Sequence, residues 1–229
     1  MNMLQHNNRI SIQVGLSGYS FKVYDGPSQI RTSGWMSSDR LFTTPEFQRR
    51  YDDVDISVFT PKATLVPSQF FSPEIARDLL SDVIKISDDD IVEYVPVPGQ
   101  ASVLVFSNVI GETLSRVISE TVLHPDGTKA RLLPELFYML VAVPTLSEYN
   151  KILASYMDGV LYLVIAQGKS LLLCNSYQAP DFTTAEYFIF LAMKKLQLNP
   201  EVSTIVFRTP LSDEDEMSLY RYFKSVDQI

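Results

Sequence analysis

Ile10-Ser11-Ile12-Gln13-Val14-Gly15-Leu16-Ser17-Gly18-Tyr19-Ser20-Phe21-Lys22-Val23-Tyr24 is the stretch that decides the fold. Apolar and polar residues alternate along Ile10 to Leu16 and again along Tyr19 to Tyr24, the period of a half-buried strand, and Ser17-Gly18 between them suits a tight reversal because glycine tolerates positive φ. A hairpin is predicted. A second hairpin is predicted at Val160 to Ala166 and Ser170 to Tyr177, joined at Gln167-Gly168; its continuous apolar runs suit strands covered on both faces. Ser17-Gly18-Tyr19-Ser20-Phe21 aligns on Gln167-Gly168-Lys169-Ser170-Leu171, with Gly, Ser and an apolar residue in the same places.

The echo extends downstream. Each hairpin is followed at some distance by a short strand closed by Thr-Pro, Ser57-Val58-Phe59-Thr60-Pro61 in one copy and Ile205-Val206-Phe207-Arg208-Thr209-Pro210 in the other. A helix is expected between hairpin and strand in each copy, at Thr44-Pro45-Glu46 and from the capping box Thr183-Thr184-Ala185-Glu186 over Tyr187 to Leu198. Another follows each strand: one opens at Ser72-Pro73-Glu74, the other at Ser212, with Asp213, Glu214, Asp215 and Glu216 as a dipole-complementing first turn rather than a metal cluster. Between the copies come strands at Ile91 to Val97 and Ser102 to Ser107 and helices near Gly111 to Thr121, Leu133 to Val141 and Ser147 to Met157. A strand over Leu136 to Val143 is the other reading of the middle one. His124-Pro125-Asp126-Gly127 marks a turn and a candidate junction. The expected organisation is a first unit over residues 1–125 with an insertion, and a second, abbreviated unit over 126–229.

Composition bounds what such a chain can do. The 229 residues are 46% hydrophobic and 20% charged, enough apolar surface for one large or two small cores. A net charge of -8 makes nucleic acid and anionic membrane surfaces poor partners. The single cysteine, Cys174, excludes an internal disulfide and fits a reducing compartment, where a buried, inert thiol is expected. The start of the chain, with His6, lacks the apolar segment of a secretion signal, and the most apolar stretch, Leu132 to Val143, is too short to span a bilayer, so a cytoplasmic protein is expected.

A hairpin leading into alternating helices and strands, present twice, resembles the duplicated ribonuclease-H-like unit of the actin-like ATPase superfamily. The C-terminal motifs Leu171-Leu172-Leu173-Cys174-Asn175-Ser176-Tyr177, Thr184-Ala185-Glu186-Tyr187-Phe188, Leu196-Gln197-Leu198-Asn199-Pro200 and Leu219-Tyr220-Arg221-Tyr222-Phe223 are similar to a bacterial family of about this length with that fold and no assigned activity. The resemblance implies an α/β protein of two tandem ribonuclease-H-like units. It also implies an Asp-x-Gly on the first hairpin of each half, to organise Mg²⁺ and water. Here Gln13-Val14-Gly15 keeps the glycine without the acid, and Ile165-Ala166-Gln167-Gly168 has no acid; a neutral amide cannot hold the metal. Arg208-Thr209-Pro210 replaces the Gly-Gly against which adenosine would lie.

A scaffold or protein-interaction module without cofactor, catalytic residue or metal is therefore expected, a pseudo-ATPase. The alternative is a divergent ATPase with ATP and Mg²⁺ between the lobes, Gly15, Ser17, Gly18, Gly168, Lys169 and Ser170 around phosphate, and Asp25 or Asp55 recruited to the metal. Lys169-Ser170 after Gly168 lacks the upstream glycine and following helix of a P-loop. Asp88-Asp89-Asp90 lacks calcium-loop spacing and reads as a solvated turn, and His124 has no zinc-ligand companion. Trp35 reads either as a packing residue of the loop covering the first hairpin or as an exposed anchor, and with Tyr220, Arg221 and Tyr222 on an expected C-terminal helix it is the candidate surface for a protein partner.

Overall fold

The structure, a computed structural model, describes residues 8–16, 18–108 and 112–229. The chain forms two compact units, one from the segment ending at Phe59 together with Asn108–Pro134, the other from Thr60–Ser107 together with Glu135–Ile229. Residues 60–107, which the expected bounds place in the first unit, fall in the second by this division, and the crossover at Pro134 lies beyond the turn at His124.

In the first unit, β1 (Asn8–Val14) and β2 (Gly18–Asp25) are the expected hairpin, antiparallel from Asn8↔Asp25 to Val14↔Tyr19. β3 (Ser28–Thr32) and the two-residue β4 (Met36–Ser37) both pair on the outer side of β2. A 3₁₀ turn at Pro45–Gln48 precedes β5 (Asp53–Val58), which runs parallel to β1. Ile10, Ile12, Val14, Phe21, Val23, Val54, Ile56 and Val58 form one buried face with Tyr19, Phe47 and Tyr51. The alternating pattern in β1 thus delivers its apolar set to a single core.

Between Thr60 and Ser107 the chain builds a small sheet of order β6-β8-β7 from β6 (Ala63–Pro67), α1 (Ala76–Ser81), β7 (Val92–Pro96) and β8 (Ser102–Ser107), with Leu80 and Ala76 of α1 packed on Val103 and Val105. Its neck is tied by Thr60 Oγ1 donating to Ser107 O at 2.6 Å and by Lys62 Nζ on Asp90 Oδ2 at 2.6 Å. Asp90 is buried, accepting also from Ser87 N and the hydroxyls of Ser87 and Ser107. The Asp88-Asp89-Asp90 run is therefore not wholly a solvated turn: its last carboxylate is a structural tie. α2 (Glu112–Thr121) then returns to the first core through Ile118, and β9 (Leu132–Pro134) adds parallel to β5. The first sheet has the order β3-β2-β1-β5-β9.

α3 (Glu135–Ala142) opens the last part of the second unit, followed by β10 (Asn150–Met157), β11 (Val160–Gln167), β12 (Ser170–Gln178), α4 (Phe182–Lys195), β13 (Thr204–Phe207), α5 (Asp213–Leu219) and β14 (Ser225–Gln228). The order is β12-β11-β10-β13-β14, with β10, β11 and β12 antiparallel and β10, β13 and β14 parallel. This repeats the first sheet strand for strand. Residues 147–157, expected as a helix, contain β10 instead. Lys, Leu, Ala and Met favour helix there, but pairing to β11 on one side and β13 on the other, with both faces buried, overrides that propensity. Counting β10 gives the second sheet the same five-strand order as the first.

Two termini also differ from expectation. α4 starts before the Thr183 capping box, with Asp181 accepting from Thr184 N at 2.7 Å. The expected C-terminal helix stops at Leu219; Tyr220, Arg221 and Tyr222 lie in the turn leading to β14.

Candidate functional site

With β10 in place, the hairpin matching β1–β2 is β10–β11, not β11–β12. The turn at Gln167-Gly168 is the second hairpin of its sheet, at the opposite end of β11 from Asp158-Gly159. Gly168, at φ +57°, donates its amide to Tyr149 O at 2.8 Å, and Lys169 and Ser170 are exposed beside it. The structure therefore does not bring Gly168, Lys169 and Ser170 to the position matching Gly15 and Gly18. Ser17 lies outside the described residues, as does His6.

In the first unit, Gly15 N–H donates to Gly18 O at 3.0 Å, so the turn consumes an amide that a phosphate would need. Gly18 pairs with Ser37 of β4. A Cβ added at Gly18 would collide with the Met36 carbonyl oxygen and stand 2.7 Å from Trp35 Nε1. Glycine is required here for close approach by the chain's own backbone and indole. Trp35 is half-buried, a packing residue over the hairpin rather than a free-standing anchor. On the other face of the sheet, Gln13, Ser20 and Ser57 are buried, and Ser20 Oγ donates to Gln13 Oε1 at 3.2 Å. Asp55 holds Arg9 Nε at 3.1 Å, and Asp25 ends β2 opposite Asn8.

In the second unit the matching hairpin does carry an acid. Asp158 and Gly159, at φ 52° and 73°, form a two-residue turn of the kind that favours Asp-Gly, and Ala179 N–H donates to Gly159 O at 2.8 Å. Asp158 was not expected at a hairpin turn, because the second hairpin was expected at Gln167-Gly168; the Asp158-Gly159 dipeptide between apolar runs is the signal in the sequence. Beside it, Thr209 is buried and accepts Tyr156 N–H on Oγ1 at 3.0 Å. Arg208, with an 11% exposed side chain, places Nε 3.5 Å from Oε1 of the fully buried Glu135, which also accepts from Ser155 Oγ at 2.6 Å. The Tyr138 ring lies 5.5 Å from the guanidinium carbon. Burial, reinforced by the charges of Glu135 and Asp158, pushes the Tyr162 hydroxyl well above its ordinary pKa, so it stays protonated. Glu135, Ser155 and Arg208 make a charge-compensated core, in which Arg208 Nη1 has no hydrogen-bond partner among the described residues.

The remaining candidates resolve individually. Tyr220 and Tyr222 are about half exposed; Tyr220 donates to Val226 O at 3.2 Å and the Tyr222 ring packs on Phe190, while Arg221 is exposed. Burial pushes the Cys174 thiol up to about 12, an unreactive protonated form. His124 Nδ1 lies 3.1 Å from Asp52 O. Among the described residues no group of three or more His, Cys, Asp or Glu could hold a metal ion, and no helix is long and apolar enough to cross a membrane.

Solved structures share this architecture. A Bacteroides thetaiotaomicron protein with an actin-like ATPase fold and unknown function superposes with a TM-score of 0.66 at 18% identity, covering 100% of this chain and 94% of its own. The cytoplasmic domain of EpsL, an inner membrane component of the type II secretion system of Vibrio cholerae, gives 0.52 at 13% identity, over 90% and 84%. A chain of the PilM–PilN type IV pilus biogenesis complex gives 0.51 at 13% identity, over 96% and 88%. No functionally curated protein matches the sequence. The fold is that of the actin-like ATPases, mixed α/β with the unit duplicated, as the resemblance implied, but the second unit is not abbreviated: with β10 its sheet has the full five-strand order of the first. The family model DUF3822, described as a protein of unknown function, matches residues 2–226, and the chain belongs to that family.

Proposed function

We propose that this protein is a non-catalytic member of the actin-like fold that works as a scaffold or interaction module for a protein partner. The packing at Gly18 carries the reading: the space that the hairpin glycine opens is filled by Trp35 and the Met36 carbonyl. Two further features support it. The turn after β13 is closed by its own Arg208–Glu135 pair and the buried Thr209, and the EpsL and PilM–PilN neighbours are components of larger assemblies, a secretion system and a pilus biogenesis complex. The net charge of -8 argues against nucleic acid as that partner, and the single cysteine fits a reducing, cytoplasmic setting. On this reading the protein needs no ATP, Mg²⁺ or other cofactor.

Isothermal titration of the full chain with ATP and Mg²⁺ tests it. No heat above dilution is expected, and saturable micromolar binding would overturn it. One observation favours a second reading, a divergent nucleotide-binding protein: Asp158 stands at the turn matching the first hairpin. Under that reading Asp158→Asn abolishes Mg²⁺-dependent binding; under ours there is no binding for it to abolish.

A further inference from the structure

A set of polar side chains lies in β3 and in the connection from it to β5 of the first unit. Arg31, Ser33, Arg40, Thr43, Thr44 and Glu46 contribute to the wall of a pocket of about 210 Å³. Most hydroxyls there are committed to the frame. Thr43 Oγ1 and Thr44 Oγ1 donate to Arg40 O at 3.0 and 2.9 Å, Thr44 also bonds Tyr19 Oη at 2.6 Å, and Ser33 Oγ accepts Phe21 N–H at 2.8 Å. The backbone of Arg40 is thus held by two side chains, while its guanidinium has no hydrogen bond or ion pair among the described residues.

Glu46 is 2% exposed, and neither carboxylate oxygen receives a hydrogen bond among the described residues. Its counter-charge is Arg31, which meets Oε1 through Nη1 in an ion pair. Arg31 is 58% exposed, and its Nε and Nη2 have no partner among the described residues. A buried carboxylate therefore anchors one guanidinium at the rim and threonines anchor the residue carrying the other, both with donors to spare.

We propose that this pocket binds a carboxylate. Among the residues of the wall, two guanidinium groups against one buried Glu46 leave a single positive charge, which a monoanion neutralises; the Asp39 carboxylate next to Arg40, outside the wall, leaves no room for a second negative charge. A phosphate dianion would add a second negative charge beside Glu46, and a nucleotide exceeds a volume below the usual 300–1,000 Å³ of sites for drug-sized ligands. The carboxylate can come from a small organic acid or from an acidic side chain of a protein segment; both present the same group to the same fork.

Trp35, the only tryptophan, is next to Met36 of the pocket wall and supplies the signal. The full chain is titrated at constant ionic strength with glutarate, with a capped tetraglutamate peptide and with inorganic phosphate, following Trp35 fluorescence and heat. Saturable binding of glutarate or the peptide is expected, tighter than phosphate by tenfold or more. The exposed Arg40→Gln variant should keep the wild-type melting temperature and lose at least tenfold in affinity, with Arg40→Lys between. Tighter binding of the peptide assigns the source as a protein segment, and tighter binding of glutarate as a small acid. No saturation with either carboxylate, phosphate binding as tightly, or Arg40→Gln binding like wild type would overturn the proposal. None of these outcomes depends on whether the protein binds nucleotide.

Discussion

At Gly18 the backbone of β2 approaches Met36 and the Trp35 indole so closely that one added carbon has no room. No positive φ is involved, so the demand is for space, and a larger residue must push β4 off its pairing at Gly18↔Ser37 and Tyr19↔Met36. Gly18→Ala is expected to cost about 1–3 kcal/mol, the range for forced overpacking, measured by urea unfolding. Gly15→Ala serves as the comparison on the same turn and should cost less. Loss of wild-type Trp35 emission in folded Gly18→Ala would show the displaced partner directly; an unchanged midpoint and spectrum would refute the packing account. The sequence made Gly18 visible as a turn residue. It could not reveal which neighbour needed the space, because Trp35 reaches it through tertiary contact across a 17-residue separation.

Among the elements, those whose apolar residues alternate along the chain or whose ends carry turn or capping chemistry were legible: β1 and β2 from alternation, β8 as Ser102–Ser107, α5 from Ser212 and its acids. β10 was not, because a strand buried on both faces loses its alternation and its residues favour helix locally. That one element moved the second hairpin, and with it the candidate phosphate residues, by a whole strand. β14 was hidden by the aromatic run before it, which reads as a continuing helix until Tyr220 turns the chain. The Glu135–Arg208 pair was equally illegible, joining the first turn of α3 to the end of β13 from 73 positions apart. It makes a specific demand on these elements. Glu135→Ala strands Arg208 in the core and is expected to cost about 3 kcal/mol by thermal or urea unfolding. The double variant Glu135→Leu with Arg208→Met, which removes both charges, should recover much of that loss. A double variant no more stable than the single would show that Glu135 does not act through Arg208.

For the whole molecule, pH is the variable that separates charge excess from charge placement. At pH 7 the net charge of -8 is repulsive, so mild acidification that neutralises exposed carboxylates relieves strain on the compact state. Asp90 opposes this at lower pH. The hydrogen bond from Lys62, then that from Ser87 N, hold its carboxyl at about 2 against an ordinary 3.8. A carboxyl with a lowered folded-state pKa stabilises fully above its unfolded value, and that contribution disappears as pH falls from about 3.8 through about 2. Asp39, Glu74, Asp126 and Asp181 are lowered by hydrogen bonds too, and lose stability in the same direction. The melting temperature should therefore hold or rise slightly from pH 7 to about 5 and fall steeply below 4. Asp90→Asn should melt lower at pH 7, since a neutral amide cannot replace the charge facing Lys62, and should show a shallower fall below pH 4 than wild type. Parallel curves for the two proteins would mean that Asp90 does not supply the acid sensitivity. Hydrogen exchange then locates the effect: amides of β6, β7 and β8, whose sheet Asp90 ties at the neck, should lose protection in Asp90→Asn before those of β10 and β11.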